Sequence, residues 1–301
     1  MPVLEQRVVA ITGAGRGIGA AVARLCAAEG AAVVVNDIGV ALDGSGTAEA
    51  PAAAVVAEVQ KAGGLAIQNA DDIATAEGGA ALIESTLDAF GKVDVLVNCA
   101  GILRDKMIFN MPEEDWDAVI RVHLRGSFNT IKPAASYWRG LKNPDGDFRI
   151  INFTSNSGLS GAPGQPNYAA AKMGIVGLTY SCARALRRYG VTSNAVSPAA
   201  ATRMASSIPG SRIGVDLEAE EMDPRNVAPV VAYLASAASS WCNGQVLGAR
   251  GYSVSLYNRP APVAEIHSDV PWDLTALGTG MESKFRRIAS EQVQEHGEKI
   301  T

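Results

Sequence analysis

Four glycines stand within eight residues, Thr12-Gly13-Ala14-Gly15-Arg16-Gly17-Ile18-Gly19, between a β-branched run and an alanine-rich stretch. A chain carrying this passage must turn sharply from a strand into a helix, with little side chain in the way. Such a turn lets the backbone approach a pyrophosphate closely, and the open N–H groups at the helix start hold the anion. The spacing is T-G-x-x-x-G-x-G, with Gly13, Gly17 and Gly19 in register; G-x-G-x-x-G fails because Ile18 takes its sixth position. The turn therefore predicts a dinucleotide site touched by Gly13, Arg16, Gly17, Ile18 and Gly19.

The same strand-to-helix step repeats along the chain. Apolar runs at Val8 to Thr12, Val33 to Asn36, Leu65 to Gln68, Val93 to Val97, Arg149 to Phe153, Thr192 to Val196 and Gln245 to Leu247 read as strands buried on both faces. Between them, Ile18 to Glu29, Thr75 to Phe90, Trp116 to Arg139, Ala169 to Tyr189 and Pro224 to Ala235 read as helices. This alternation predicts an α/β fold: a Rossmann-type, doubly wound parallel sheet of about seven strands with helices on both faces. One domain is expected over 1–258. A C-terminal extension over 259–301 begins at Arg259-Pro260-Ala261-Pro262 and ends in an amphipathic stretch from Met281, either a partner-contacting helix or a solvated end. Gly39 to Pro51, rich in Gly and Ala, reads as an insertion after the second strand.

Composition narrows the function by exclusion. A net charge of −5 gives no general pull on nucleic acid or on an anionic membrane. Met1 to Arg7 lacks the basic and apolar regions of a signal peptide, and no apolar run reaches a membrane span, so a cytoplasmic protein is expected. The four cysteines, Cys26, Cys99, Cys182 and Cys242, have neither metal-ligand spacing nor the look of a disulfide framework, and read as small buried hydrophobes. No metal site is expected.

Two groups of side chains carry chemistry. Asp37 ends the second strand about 20 residues past the glycines, where an acid accepts hydrogen bonds from an adenosine ribose and disfavours a 2′-phosphate. This predicts NAD as the cofactor, with Asp72 and Ile73 near the adenine and Asp71 as a solvated alternative. Ser155 follows the fifth strand, and Tyr168 and Lys172 lie four residues apart, one helical turn on a single face. Oxidising an alcohol with NAD⁺ needs a base for the hydroxyl proton. A free phenol near pKa ~10 is a poor one at neutral pH. The expected remedy is the Lys172 ammonium and the positive nicotinamide ring, both of which favour phenolate, while Ser155 holds the substrate oxygen.

Thr12 to Gly19, Asn98-Cys99-Ala100-Gly101, Ser155, Tyr168 and Lys172 together resemble the short-chain dehydrogenase/reductase family from residue 7 to about 251. The resemblance implies that Asn98, Ala100 and Gly101 border the cofactor and that Asn98 braces the central strand, with Cys99 replacing the usual second asparagine. It also implies that Tyr168, Lys172, Pro198 and Thr202 contact the nicotinamide half. Ser197 to Met204 departs from the usual P-G pattern and is one residue short before Thr202. Val33 to Asp37, Asn98 to Asp105 and Arg121 to Phe128 look more narrowly like the (3R)-hydroxyacyl-CoA dehydrogenase domain of peroxisomal multifunctional enzyme type 2 and its bacterial relatives. There His123 stands in place of the asparagine of a four-residue catalytic set, and is a candidate for the same water-chain task or a buried histidine tied to a carbonyl.

The expected function is NAD-dependent oxidation of a secondary alcohol, most readily a (3R)-3-hydroxyacyl-CoA, with or without a steroid portion, in lipid or steroid catabolism. A 17β-hydroxysteroid dehydrogenase acting on free steroid is the alternative, and a catalytically silent nucleotide-binding regulator the remote one. Arg203 to Asp223 corresponds to the family's substrate loop and holds no basic cluster for CoA phosphates; Arg104, Lys106 and Arg203 are the other cations considered. Related enzymes pair through the helices matching Trp116 to Arg139 and Ala169 to Tyr189. Apolar Val119, Ile175, Val176 and Leu186 on more than one face then suggest a homodimer or homotetramer.

Overall fold

The structure is a computed structural model that describes residues 2–46, 50–143, 145–201 and 220–295, with side chains in the last helix given through residue 291. The chain divides into two compact units, Met1–Tyr257 and Asn258–Thr301.

Eight strands of the first unit form one sheet: β1 (Val8–Thr12), β2 (Ala32–Asn36), β3 (Leu65–Asn69), β4 (Val95–Asn98), β5 (Phe148–Phe153), β6 (Val191–Ala199), β7 (Val246–Arg250) and β8 (Ser253–Leu256). Their order is β3-β2-β1-β4-β5-β6-β7-β8, parallel throughout except for the antiparallel β7–β8 pair. The connection therefore reverses direction between β1 and β4, and such a switch point opens a crevice at the strands' carboxyl ends. Seven strands match the expected parallel set. The eighth was not anticipated, because Ser253–Leu256 is exposed at every residue and gives no burial signal. β3 also departs from the expected all-buried pattern: as the opposite edge strand it leaves Leu65 exposed.

Successive side chains of a strand point to opposite faces, which creates two cores. Val9, Ile11, Val33, Val35, Val95 and Val97 pack with α1 (Gly17–Ala28), α2 (Pro51–Lys61) and the helix Ala228–Ala235. Ala10, Val34, Leu96 and Ile150 face the other way, onto α3 (Ala76–Phe90) and α5 (Gly126–Leu141). Helix α2 follows directly on the presumed insertion, so the chain from Gly39 is part loop and part crossover helix; its alanine-rich start, Pro51-Ala52-Ala53-Ala54, obscured the amphipathic pattern.

The long helix expected over Trp116 to Arg139 is broken. It runs as α4 (Glu113–Ile120), a π-helical turn (Arg121–Arg125) and α5. A π turn inserts an extra residue per turn and is often found at functional sites. Here it carries His123. A short α6 (Asn156–Ser160) precedes α7 (Pro166–Ala185), and α8 is the helix Ala228–Ala235. Val119, Ile175 and Val176, taken from the sequence as candidates for subunit contact, are buried within the chain itself. The exposed apolar side chains of these helices are instead Trp116, Phe128, Leu141 and Met173.

In the second unit, α9 (Leu274–Glu295) starts before the Met281 boundary read from the sequence. Among the described residues, no helix is long and apolar enough to cross a membrane.

Candidate active site

At the carboxyl ends of β1 to β4 lies a cavity of about 440 Å³. Its floor is the glycine turn. Gly13 has a positive φ of 64°, and a Cβ there would come within 2.6 Å of Ala100 Cα. A Cβ at Gly19 would stand 2.2 Å from the Gly13 carbonyl oxygen, so β1 and α1 meet only because that position is bare. Arg16, the N-cap of α1, makes no side-chain capping bond and leaves the first-turn N–H groups open toward an anion. The Thr12 hydroxyl accepts from both Cys99 N and Ala100 N at 3.1 Å, tying the end of β1 to the loop after β4.

Gly13, Arg16, Gly17, Ile18, Gly19, Asp37, Asp72, Ile73, Ala100 and Gly101 all line this cavity, so the structure gathers these sequence candidates in one place. Asp37 is held by two backbone donors: Gly15 N to one carboxylate oxygen at 3.0 Å and Gly39 N to the other at 2.8 Å. Each oxygen keeps a second lone pair, so the carboxylate is oriented without being exhausted. Asp72 accepts from Ala74 N at 3.0 Å, and Ile73 is buried beneath Gly126. The glycine cradle, the uncapped helix start and the acid closing β2 fit a dinucleotide.

Asn98 is placed differently. Its amide donates to Asn152 Oδ1 at 3.0 Å and its oxygen accepts from the Thr130 hydroxyl at 2.7 Å. Asn152 in turn donates to Thr179 Oγ1 at 2.9 Å. This buried chain crosses β4, β5, α5 and α7, and the Asn98 side chain is a brace and not part of the cavity wall. Pro198 is half-buried near the end of β6 and is likewise not on the cavity wall, while Thr202 and Arg203 lie outside the described residues. Arg104 and Lys106 both pair with Asp115, at 3.2 and 2.9 Å.

Ser155 caps the N-terminus of α6, accepting from Ser157 N at 3.2 Å, and its hydroxyl favours the ionised form of the Tyr168 phenol. Tyr168 and Lys172 are buried on one face of α7, with the Lys172 ammonium 5.4 Å from the phenol ring centre and donating to the Phe153 carbonyl at 2.8 Å. Burial pushes the Tyr168 phenol up to about 12, against the pull of Ser155, and the same burial holds Lys172 down to about 8. The sequence expectation joins Lys172 to a positive nicotinamide ring as the groups that favour phenolate; in the free chain, desolvation is the largest influence on the phenol.

His123 is buried edge-to-face against Tyr168, ring centres 5.1 Å apart. Its Nε2 lies 2.8 Å from Ile102 O and 3.1 Å from Ile102 N. Its Nδ1 has no partner among the described residues. Burial first, and Lys172 second, hold the imidazole well below its ordinary value, so it is neutral. Gly101 makes this possible: a Cβ there would fall 2.2 Å from His123 Cε1.

Several contributors were not singled out from the sequence. Asn167 donates to the carbonyls of Arg104 and Asp115 and accepts from Tyr168 N at 2.7 Å, fixing the start of α7. Gln165 bridges Asp105 and Ser157. Their one visible signal is position, immediately ahead of Tyr168; their partners are distant in sequence.

The family model described as short chain dehydrogenase matches residues 7–211. The chain belongs to the short-chain dehydrogenase family. It is similar to a protein of Mycobacterium tuberculosis named hydroxyacyl-CoA dehydrogenase ChsB1, 41% identical over 297 residues that span 96% of this chain and 92% of that one. It is also similar to peroxisomal multifunctional enzyme type 2 of Drosophila melanogaster, 41% identical over 84% of this chain but only 40% of that longer protein. A solved short chain dehydrogenase from Mycobacterium avium superposes with a TM-score of 0.83 at 45% identity, covering 93% of this chain and 95% of that one. This short-chain dehydrogenase is thus an oxidoreductase acting on CH–OH groups.

Proposed function

We propose that the chain oxidises the secondary alcohol of a 3-hydroxyacyl-CoA thioester, of (3R) configuration, using NAD⁺. The observation that carries the chemistry is half-buried Ser155 with buried Tyr168 and Lys172, set behind Cys99 and Gly101, which line the cleft that carries Asp37. Ser155 donates to the substrate oxygen and Tyr168 takes the hydroxyl proton. Lys172 would hold the ribose of a bound cofactor, and the open Nδ1 of His123 offers a further station on the proton's way out. A bound nicotinamide supplies the hydride acceptor and a positive ring that favours the phenolate. Asp37, turned by two backbone amides toward the glycine turn, favours ribose hydroxyls over a 2′-phosphate.

The substrate class is supported by the relative named hydroxyacyl-CoA dehydrogenase, which is matched over nearly its whole length. A homodimer or homotetramer formed through α5 and α7 is supported by exposed Phe128 and Met173. The cytoplasm suits a thiol-bearing enzyme without disulfides among its described residues.

The deciding experiment is a panel under NAD⁺ and NADP⁺: (3R)- and (3S)-hydroxyacyl-CoA thioesters, with and without a steroid portion, against free 17β-hydroxysteroids. The (3R) thioester is expected to exceed any free steroid by about tenfold or more in kcat/KM. The thioester's remote contacts can be used to position the carbinol. Faster oxidation of a free hydroxysteroid would transfer the assignment to that class.

A further inference from the structure

The chain after β2 does not leave the cleft at Asp37. Val40, Ala41, Leu42 and Gly44 line the same cavity as the glycine turn. This segment, Gly39 to Gly46, is folded on itself: Ala41 N donates to Ser45 O at 2.9 Å and Gly44 N to Ala41 O at 3.0 Å. Ser45 gives both its N–H and its hydroxyl to Asp43 Oδ1, at 2.9 and 2.7 Å. The far side of the segment rests on the loop after β4. Leu103 N donates to Leu42 O at 3.0 Å, and Arg104 Nε donates to Asp43 O at 2.8 Å. A Cβ at Gly44 would stand 3.3 Å from Ile102 Cδ1, so the two loops pack together.

In the sheet, β2 and β4 lie on either side of β1. A segment that leaves β2 and is bonded to the loop after β4 therefore reaches across the end of β1, where the glycine turn begins. We propose that Arg104 is a positioning residue for the cofactor: it holds the Gly39–Gly46 strap across the adenosine half of the cleft, and so sets how fast a dinucleotide leaves. The proposal rests on the reading of this cleft as a dinucleotide site.

The strap's neighbours identify the half it covers. Asp37, Asp72 and Ile73 share the cavity wall with it, whereas Ser155, Tyr168 and Lys172 are not on that wall. The strap can therefore change how the cofactor is held without touching the groups that move the proton.

The two bonds that hold the strap differ in kind. The Leu103–Leu42 bond joins two backbone groups and does not depend on either side chain. The Arg104 bond does depend on one, and its charged donor makes it the stronger of the two. The guanidinium is itself steadied from α4, where Nη1 pairs with Asp115 at 3.2 Å, and the Arg104 carbonyl accepts from Asn167 at the start of α7. Lifting the strap takes both donors away from the Leu42 and Asp43 carbonyls, so removing one of them lowers the barrier to release. With Nε and Nη1 both engaged, Arg104 is also withdrawn from the cations considered for a CoA phosphate.

Arg104→Met keeps most of the aliphatic stem and removes the donor. Two readouts on the full chain need no turnover. One is the rate of NADH release, followed by its fluorescence in stopped flow on displacement with excess NAD⁺. The other is the affinity for ADP-ribose, which lacks the nicotinamide, measured by calorimetry. Arg104→Met is expected to speed NADH release about fivefold and to weaken ADP-ribose binding by a similar factor. KM for NAD⁺ should rise with it, while kcat stays level or rises. Asp43→Ala, which unties the strap's own turn and leaves Arg104 in place, is expected to move both readouts in the same direction by about twofold. NADH release at the parent rate in Arg104→Met overturns the proposal. So does a fall in kcat with release unmoved, as a purely structural link through α7 would give. Failure of the parent protein to bind NADH and ADP-ribose overturns the dinucleotide reading instead.

Discussion

On the β1–β3 side of the switch point, the cleft is shaped mostly by backbone. Two bare glycine positions, an uncapped helix and the paired ends of β1 and β2 do most of the work, and the charged side chains Asp37, Arg16, Asp71 and Asp72 line what remains. On the β4–β6 side the reverse holds. Asn98, Asn152, Thr130, Thr179, His123, Tyr168 and Lys172 are all buried side chains, satisfied by one another or left partly unsatisfied. The first half recognises something that arrives carrying its own charge, so it needs shape and open N–H groups. The second must move a proton, and so keeps titratable groups out of water at an energetic cost. Substitutions in the two halves should therefore fail in different ways: loss of affinity on one side, loss of chemistry together with altered stability on the other.

The largest expected contrast comes from Tyr168→Phe. It removes the proton acceptor and nothing from the cleft floor, so turnover should fall by about a thousandfold or more, in the upper range for a lost general base. NAD⁺ affinity, measured by fluorescence quenching or calorimetry, should stay within about threefold. Retention of more than a few per cent of activity would collapse the distinction between the halves.

Next in size is a stability effect with a defined pH course. Lys172 binds its proton less tightly in the folded chain, at about 8 against 10.5 when solvated. Below about pH 8 the folded state holds a desolvated ammonium, and stability is reduced by about 3 kcal/mol at most. Between about 8 and 10.5 the unfolded chain binds more protons than the folded one, so this penalty is relieved as pH rises. Lys172→Met should accordingly abolish turnover yet stabilise the protein at pH 7, by about 1–3 kcal/mol in denaturant unfolding, with the gain shrinking toward pH 10. The buried Phe153 carbonyl loses its donor in that variant, which is why the lower end of the range is included. A variant destabilised at pH 7 would show that the lysine bond outweighs its desolvation.

The contrast between halves also explains what the sequence made legible. Gly13 to Gly19 could be read because backbone requirements leave a local mark: few residues other than glycine fit those places. Ser155, Tyr168 and Lys172 could be read because their spacing, thirteen and four residues, is set within one loop and one helix. Asp105, Gln165 and Asn167 escaped because each is defined by partners far along the chain, such as the 60 residues between Asp105 and Gln165. The burial of the Tyr168 phenol was illegible for a related reason: its spacing to Lys172 is local, but the desolvation that opposes ionisation is a property of the assembled layers. Likewise β8 carries no burial pattern, and the π turn at Arg121–Arg125 is invisible to a count of helical periodicity. Apolar Val119 and Ile175 looked like interface residues because the sequence does not say which helix face meets the chain's own core.

The smallest effect is expected at Asp37, the acid that follows β2 in the backbone-built half. Asp37 contributes a carboxylate already oriented by Gly15 and Gly39, so its preference for ribose hydroxyls should amount to about tenfold in kcat/KM for NAD⁺ over NADP⁺, or about 1.4 kcal/mol. Asp37→Ala should narrow that ratio toward unity. It should act through KM for NAD⁺, because the groups that move the proton lie across the switch point, and kcat at saturating cofactor should change by less than about twofold. Some loosening of the glycine turn is also expected, since Gly15 N and Gly39 N, both of buried residues, lose an acceptor. Arg16 lines the same cavity, so removing the acid leaves a cation beside the position of a 2′-phosphate, and NADP⁺ should gain in absolute terms. Equal use of both cofactors by the unaltered protein would remove Asp37 from the selectivity argument, and a fall in kcat in the Ala variant would mean that the two halves are coupled after all.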